Sequence, residues 1–196
     1  MKLLAFTDTH SQMKLLDKAL SKAKKHNPDI IVCAGDIADY ERDLEIMIRK
    51  LKQTKILTFI IQGNHESIEK MQKLCTGNVI FLHKRTYTIG SYTFFGYGGG
   101  GFNQEDKKLE SLIPKVKQAS KENLIFITHM PPHNTKLDYL PISKGHAGSL
   151  SAARLIKALK PMLVITGHLH ENFYKKDSLG SSYLINPGPE GAILEF

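Results

Sequence analysis

Five short apolar runs in this chain each end on side chains that bind cations or move protons. "LLAFTDTH" ends in Asp8 and His10, "IIVCAGD" in Asp36, and "LTFIIQGNHE" in Asn64 and His65. "LIFITH" ends in His129, and "LVITGHLH" in His168 and His170. Runs of this length, rich in β-branched residues and bounded by Gly, Asn or Asp, read as buried strands. Between them lie stretches with apolar residues at helical spacing, such as Leu15, Leu16, Ala19, Leu20 and Ala23, or Leu44, Met47, Ile48 and Leu51. That alternation predicts an α/β protein. In open α/β sheets the carboxyl ends of the strands converge on one crevice, so groups far apart in sequence would meet there. A single histidine after a strand is an ordinary cap or surface residue, a Gly-Asp pair is commonly a turn, and Asn64 could simply follow Gly63 in one. The recurrence of such groups at five junctions of the same kind points to a shared metal site.

The remaining pattern fills in the fold. Strands are expected over 2–8, 29–36, 55–62, 123–129 and 162–168, and helices over 11–26, 44–51, 67–77 and 149–161. Asn27-Pro28 and Pro161 end two of the helices, and Gly77 serves as the stop signal of a third. Short strands over 78–83, 85–90 and 91–97 follow, with Gly90-Ser91 as a hairpin turn. Pro114 must start, kink or split a helix around 105–120. Residues 181–196 close with two strands. The added hairpins suggest two packed sheets with helices outside. With no repeat, low-complexity tract or Pro/Ser-rich linker, residues 1–196 read as a single domain.

Composition excludes several classes. Hydrophobic residues are 41% and charged residues 23%, the balance of an ordinary globular protein. No apolar run approaches the ~20 residues that span a bilayer, so no membrane partner is expected. The opening "MKLLAFTD" is too short in its apolar part for an export signal. Cys33 and Cys75 have no paired ligand spacing, which suits a reducing, cytoplasmic setting. The net charge of +8 favours polyanions. The lysines, however, alternate with apolar residues at helical spacing and read as solvated faces. No stretch interleaves basic and aromatic residues, so nucleic acid is not the favoured partner.

The donor set mixes carboxylate and amide oxygen with imidazole nitrogen and contains no thiolate. It suits Mn²⁺, Fe, Zn²⁺ or Ni²⁺ better than an all-oxygen Mg²⁺ or Ca²⁺ site. Seven candidate ligands exceed one ion's needs. They suit two ions ~3.5–4 Å apart that share one carboxylate and activate a water between them.

Taken together, Asp8-Thr9-His10, Gly35-Asp36, Gly63-Asn64-His65-Glu66, His129 and Gly167-His168-Leu169-His170 resemble the calcineurin-like metallophosphoesterase superfamily. Its pattern is D-x-H, G-D, G-N-H-E, a lone H, and G-H-x-H. The resemblance runs in order from residue 8 to 170. It implies a four-layered α-β-β-α sandwich, two packed mixed sheets flanked by helices. It implies two divalent transition-metal ions, Mn²⁺ first among them. One would be held by Asp8, His10, Asp36 and His170, the other by Asp36, Asn64, His129 and His168. His65 would be the catalytic acid that protonates the leaving oxygen, oriented by Asp39. Asn186 to Gly188, "NPG", also matches a family feature.

The activity implied is hydrolysis of a small phosphate ester, most simply a small or nucleotide-like phosphodiester. Nuclease and phosphomonoesterase activities are the alternatives on the same site, and a non-catalytic protein-interaction scaffold is the alternative of another class. The family's protein phosphatases carry arginines beside these motifs. Here Gln62 precedes Gly63 and Tyr40-Glu41 follow Asp39, which disfavours a phosphoprotein phosphatase. "THMPPHNT", "HAGS" and "PMLVITGHLHE" are similar to a small prokaryotic and archaeal phosphodiesterase-like group related to cyclic-nucleotide phosphodiesterases.

His26 sits where a helix C-terminus favours its charge, and His83 at a strand end reads as structural. His133 and His146 lie in a loop that could line the substrate pocket. "GYGGGGF" formally contains GxGxxG, yet the strand after it ends without the acid that would hold a ribose. A tight loop whose Gly98 and Gly99 amides approach the phosphate is one reading there, and a merely flexible turn is the other.

Overall fold

The computed structural model describes residues 1–101, 104–120 and 122–196. Its elements in chain order are β1 (Lys2–Phe6), α1 (Met13–His26), β2 (Ile30–Cys33), α2 (Leu44–Gln53), β3 (Leu57–Ile60), α3 (Ile68–Leu74), β4 (Val79–Phe81), β5 (Arg85–Ile89) and β6 (Tyr92–Tyr97). They continue with α4 (Lys107–Ser111), α5 (Ile113–Ala119), β7 (Asn123–Thr128), β8 (Tyr139–Leu140), β9 (Gly145–His146), α6 (Leu150–Leu159) and β10 (Leu163–Ile165). A 3₁₀ turn (His170–Asn172), β11 (Lys176–Leu179), β12 (Ser182–Ile185) and β13 (Ala192–Glu195) complete the chain.

One sheet has the order β13-β1-β2-β3-β4, the other β11-β12-β10-β7-β6-β5, with β8-β9 as a separate hairpin. Within the first, β1 to β4 run parallel and β13 is antiparallel. Within the second, β12, β10, β7 and β6 run parallel, and β11 and β5 are antiparallel edges.

Side-chain alternation along the strands builds the layers, because successive residues point to opposite faces. Leu4 and Phe6 of β1 pack with Leu16 and Ala19 of α1 and with Met47 and Leu51 of α2. Leu3 and Ala5 point the other way, into a core shared with Phe94, Ile125, Ile127, Leu163 and Ile165 of the second sheet. The outer face of that sheet, with Phe126, Val164 and Leu184, is covered by Leu109, Val116, Leu155 and Ile156 of α4, α5 and α6. Three cores separate four layers, the α-β-β-α sandwich expected from the sequence.

The strands are shorter than their apolar runs suggest, because the polar residues after each run leave the ladder to form loops. α3 stops at Leu74, capped at Cys75 and ahead of Gly77. Pro114 starts α5, and the break before it splits the expected helix in two. The Gly90-Ser91 turn joins β5 to β6, with Ile89 opposite Tyr92. The short ladders β8-β9 and β11, and the 3₁₀ turn, were not foreseen. Among the described residues, no helix is long and apolar enough to cross a membrane.

Candidate metal centre

The carboxyl ends of β1, β2 and β3 in one sheet meet those of β7 and β10 in the other. Backbone bonds tie the loops that leave them. The Asp8 amide donates to Gly35 O (3.0 Å), His10 N to Asp36 O (3.0 Å), and Gly167 N to His129 O (2.9 Å). Asp8, His10, Asp36 and His168 all have left-handed backbones, with φ of 53°, 43°, 47° and 72°. Each such residue is disfavoured by roughly 1 kcal/mol or more, a cost that structures concentrate at functional sites. Gly63 is required sterically: a Cβ there would lie 1.9 Å from Asp36 Oδ1.

Three candidate groups result among the described residues; one, His10, Asp36 and His65, straddles the other two. Asp8, His10 and His170 have donor atoms within 4.8 Å of one another, and so do Asp36, His129 and His168. In the first, His10 Nε2 is 3.8 Å and His170 Nε2 3.5 Å from Asp8 Oδ1. In the second, His129 Nε2 is 3.2 Å from Asp36 Oδ2. Asn64 Oδ1 joins it, 3.1 Å from His129 Nε2 and 3.0 Å from His168 Nδ1. Asp36 Oδ2 also lies 3.7 Å from His10 Nε2, so it faces both groups. All seven residues that sequence reading nominated as ligands are therefore brought together.

Electrostatics suit cations. Asp8 and Asp36 are each only 2% exposed. Among the described residues, their ion pairs are all with histidines. Burial works against the charge on Asp8, but the His10 and His170 imidazoles hold it well below the usual carboxylate range. Burial opposes Asp36 too, and His129 holds it below its ordinary value. Burial alone would depress the wholly buried His129, yet Asp36 and Asp8 raise it to about 9. A proton on His129 thus balances buried carboxylates where a divalent ion could. Burial, then the charge on His129, lowers His168 to about 4 and so keeps the ring neutral, with one nitrogen lone pair available. His129 Nδ1 faces Ala34 O at 2.9 Å; donation there aims Nε2 at Asp36 as a donor atom. The donor set fits borderline transition ions.

His65 sits at the edge of this centre. Its Nδ1 is 3.2 Å from Asp39 Oδ1, and its Nε2 3.9 Å from Asp36 Oδ2. Asp39 in turn pairs with Arg42 at 3.3 Å. Outside the centre, His133 and His146 gather around the fully buried Asp138, whose oxygens lie 3.5 and 2.8 Å from their Nδ1 atoms. The glycine loop turns inward. Gly98 N donates to His83 Nδ1 (3.0 Å) and Gly99 N to Gln62 O (2.8 Å), so both amides are engaged within the protein. Gly98 is there for close approach, since its Cβ would lie 2.3 Å from Gln62 O. Phe102, at the end of that stretch, lies outside the described residues.

Sequence reading quoted Glu66 but gave it no role. It is 7% exposed, and its carboxylate accepts from the amides of Asp36 (3.2 Å), Ala38 (2.9 Å) and Gly63 (2.8 Å). It therefore clamps the β2–α2 loop to the β3–α3 loop. The available signal was an acid placed three residues after the glycine of a ligand-bearing turn. Thr7 was also missed; its hydroxyl donates to Asp8 Oδ2 at 2.6 Å.

Comparison with known proteins supplies the family and the fold. An uncharacterised protein of Methanocaldococcus jannaschii, MJ1162, is 26% identical over 97% of this chain and 89% of its own. The structure of the Thermus thermophilus protein TT1561 superposes with a TM-score of 0.75, at 20% identity over 95% of this chain and 88% of that one. A dimetal phosphatase from Danio rerio has the same fold, with a TM-score of 0.70 at 13% identity, over 94% of this chain and 86% of that one. The family model of the calcineurin-like phosphoesterases matches residues 1–172, and the chain belongs to that family.

Proposed function

We propose that this protein is a binuclear-metal phosphodiesterase for small or nucleotide-like phosphodiesters, with His65 as the acid that protonates the leaving oxygen. The observation that carries the reading is Asp36, whose Oδ2 faces His129 and His10 at 3.2 and 3.7 Å, at the meeting of the two ligand groups. Asp8, His10, Asp36 and His170 would hold one ion, and Asp36, Asn64, His129 and His168 the other, with Mn²⁺ the first choice. When bound, such ions make water nucleophilic near neutral pH and offset charge on the phosphoryl oxygens.

The chain's own groups do the rest. Thr7 and the His168 amide, which donates to Asp8 at 3.0 and 3.1 Å, fix the Asp8 carboxylate. The His65 amide donates to Asp36 Oδ1 at 3.1 Å and fixes the second carboxylate. His65 Nδ1 is held between Asp39 Oδ1 (3.2 Å) and the Tyr40 amide (3.4 Å), which turns Nε2 toward the centre, the position from which a ring N–H would protonate an alkoxide. Asp39 is a positioning residue. Arg42 is paired with Asp39 at 3.3 Å and so is not offered as a clamp for the second charge of a monoester, which supports a diester. The two free cysteines, Cys33 and Cys75, support a reducing cytoplasmic setting.

The test is Mn²⁺ loading, followed by elemental analysis and turnover of bis-p-nitrophenyl phosphate, p-nitrophenyl phosphate and a cyclic nucleotide. Uptake of about two ions and faster diester hydrolysis are expected, with Asp36→Asn at least about a hundredfold slower. Equal turnover by that variant, or preference for the monoester, would overturn the reading.

A further inference from the structure

The loop after β2 holds an aromatic ring in the open beside His65. Tyr40 is 78% exposed, and its ring centroid lies 4.3 Å from that of His65, with the planes tilted by 45°. Tyr40, Glu41 and Asp43 all have left-handed backbones, with φ of 47°, 63° and 58°. That region is disfavoured for a bulky side chain and needs outside support.

The support is visible. Ser11 Oγ donates to Arg42 O (2.5 Å) and accepts from Asp39 N (2.9 Å). Glu41 Oε1 accepts from Ser67 N and Oγ (2.9 and 2.5 Å), and Lys70 Nζ lies 3.2 Å from Glu41 Oε2. The β1–α1 loop and the start of α3 therefore hold this loop in a costly shape. Ile37 and Ala38 of the same loop, and Leu44 where α2 begins, pack into the first core, but Tyr40 belongs to none of the three, so its own ring is not placed by core packing. What the shape achieves is an exposed ring at the edge of the metal centre. Across the centre, Phe173 stacks on His170, with centroids 4.8 Å apart and planes 28° apart. His10 lies between, its ring 4.7 Å from His65 and 5.0 Å from His170.

We infer that Tyr40 is a specificity-determining residue: it is a stacking platform for an aromatic group on the ester's alcohol, an aryl ring or a nucleobase. The inference rests on the phosphoesterase reading above, which puts the leaving oxygen at His65 and so brings the alcohol past Tyr40. Stacking on an exposed aromatic face is sequence-tolerant among bases and changes affinity by about tenfold or more per base. The hydroxyl is not required, so Tyr40→Phe keeps the platform and Tyr40→Ala removes it.

The test titrates AMP and ribose 5-phosphate calorimetrically into the Mn²⁺-loaded full chain. The two share a phosphate and differ by the base. Wild type and Tyr40→Phe should bind AMP about tenfold more tightly than ribose 5-phosphate, and Tyr40→Ala should bring the two within about twofold. Equal affinities in wild type, or a gap that survives Tyr40→Ala, would overturn the platform and leave the phosphoesterase reading standing. Binding of neither ligand by loaded protein that still turns over the diester would overturn the platform alone; loss of diester turnover as well would overturn both. Turnover of bis-p-nitrophenyl phosphate separates platform from positioning. If Tyr40 is a platform, KM rises in Tyr40→Ala, whereas kcat falling at unchanged KM would show that Tyr40 acts by holding His65 and would overturn the inference.

Discussion

His10 Nε2 stands 3.1 Å from His170 Nε2, although 160 residues separate the two in the chain. Both face Asp8 Oδ1. Two imidazole nitrogens this close share at most one proton, and with the carboxylate they surround a point suited to a cation. His170→Ala removes one donor from this group and leaves Asp36, His129 and His168 in place. After Mn²⁺ loading and desalting, bound metal should fall from about two ions per chain to about one. Undiminished metal would show that His170 is not a ligand.

Leaving-group chemistry separates proton donation from simple contact at His65. A general acid contributes roughly 10²–10⁴-fold where the departing oxygen is basic, and little where it leaves unaided. His65→Ala should therefore lose at least about a hundredfold on a diester with an alkyl alcohol, and less than about tenfold on a p-nitrophenyl diester. Steady-state rates on the two substrates check this. Equal losses would assign His65 to phosphate binding instead.

Glu66 gathers three loop amides on one buried carboxylate. Glu66→Ala would strand those donors, and each buried unsatisfied group costs about 1–3 kcal/mol. A stability loss of about 3 kcal/mol or more in urea unfolding is expected, together with weaker metal retention, because Asp36 sits in the clamped loop. A variant with wild-type unfolding and full metal content would remove Glu66 from the architecture of the centre.

The gathering of the candidate ligands was legible because it is written in residue type: carboxylate, amide and imidazole groups recur at one kind of junction. The role of Glu66 was not, because two of its three amides, those of Asp36 and Ala38, come from a loop about thirty residues away, and the spacing to Gly63 displays only the third. The helices over Leu16 and Met47 were readable from their stripes. The pairing of Leu4 with helices and Leu3 with the opposing sheet was not, since both are simply apolar in a run. β11, "KDSL", is an edge strand with alternating partly buried and exposed residues, so it lacks the apolar run that marked the inner strands. β8 and β9 are two residues each, too short for any period, and their stability comes from the residues around them. The motif residues Asn186 and Gly188 brace the base of the centre: Asn186 Oδ1 accepts from Gly188 N, and Gly188 O accepts from Thr7 N.

His83 makes stability sensitive to acid. Gln62 Nε2 lies 3.1 Å from its Nδ1, and Gly98 N donates to the same atom at 3.0 Å. That nitrogen is an acceptor and the ring is neutral. Burial, then the charge on Lys84, lowers its pKa to about 4 from an ordinary 6.5. With the folded value depressed, the unfolded chain binds more protons between those values, so the stabilisation present above pH 6.5 is lost as pH falls toward 4. His83→Asn retains an acceptor and cannot titrate. Urea midpoints between pH 7 and 4.5 should fall less steeply for this variant than for wild type; parallel curves would refute the assignment.

Asp138 is the organiser of the loop that holds His133 and His146. It is fully buried and accepts from the amides of Asn134 (3.1 Å), Thr135 (2.7 Å) and Gly148 (3.0 Å), while His146 Nδ1 lies at 2.8 Å. Asn172 secures the same segment from the far side, its Nδ2 donating to Leu137 O and Tyr139 O. Asp138→Ala leaves several buried donors unmatched, at about 1–3 kcal/mol each, but the cost is local to the β8–β9 hairpin. Limited proteolysis should cut between residues 139 and 146 in the variant well before wild type, while bound Mn²⁺ stays at about two per chain. The contrast with Glu66→Ala is informative, since one buried carboxylate braces the centre and the other a neighbouring loop. Loss of metal in Asp138→Ala would mean that the hairpin and the centre unfold as one unit.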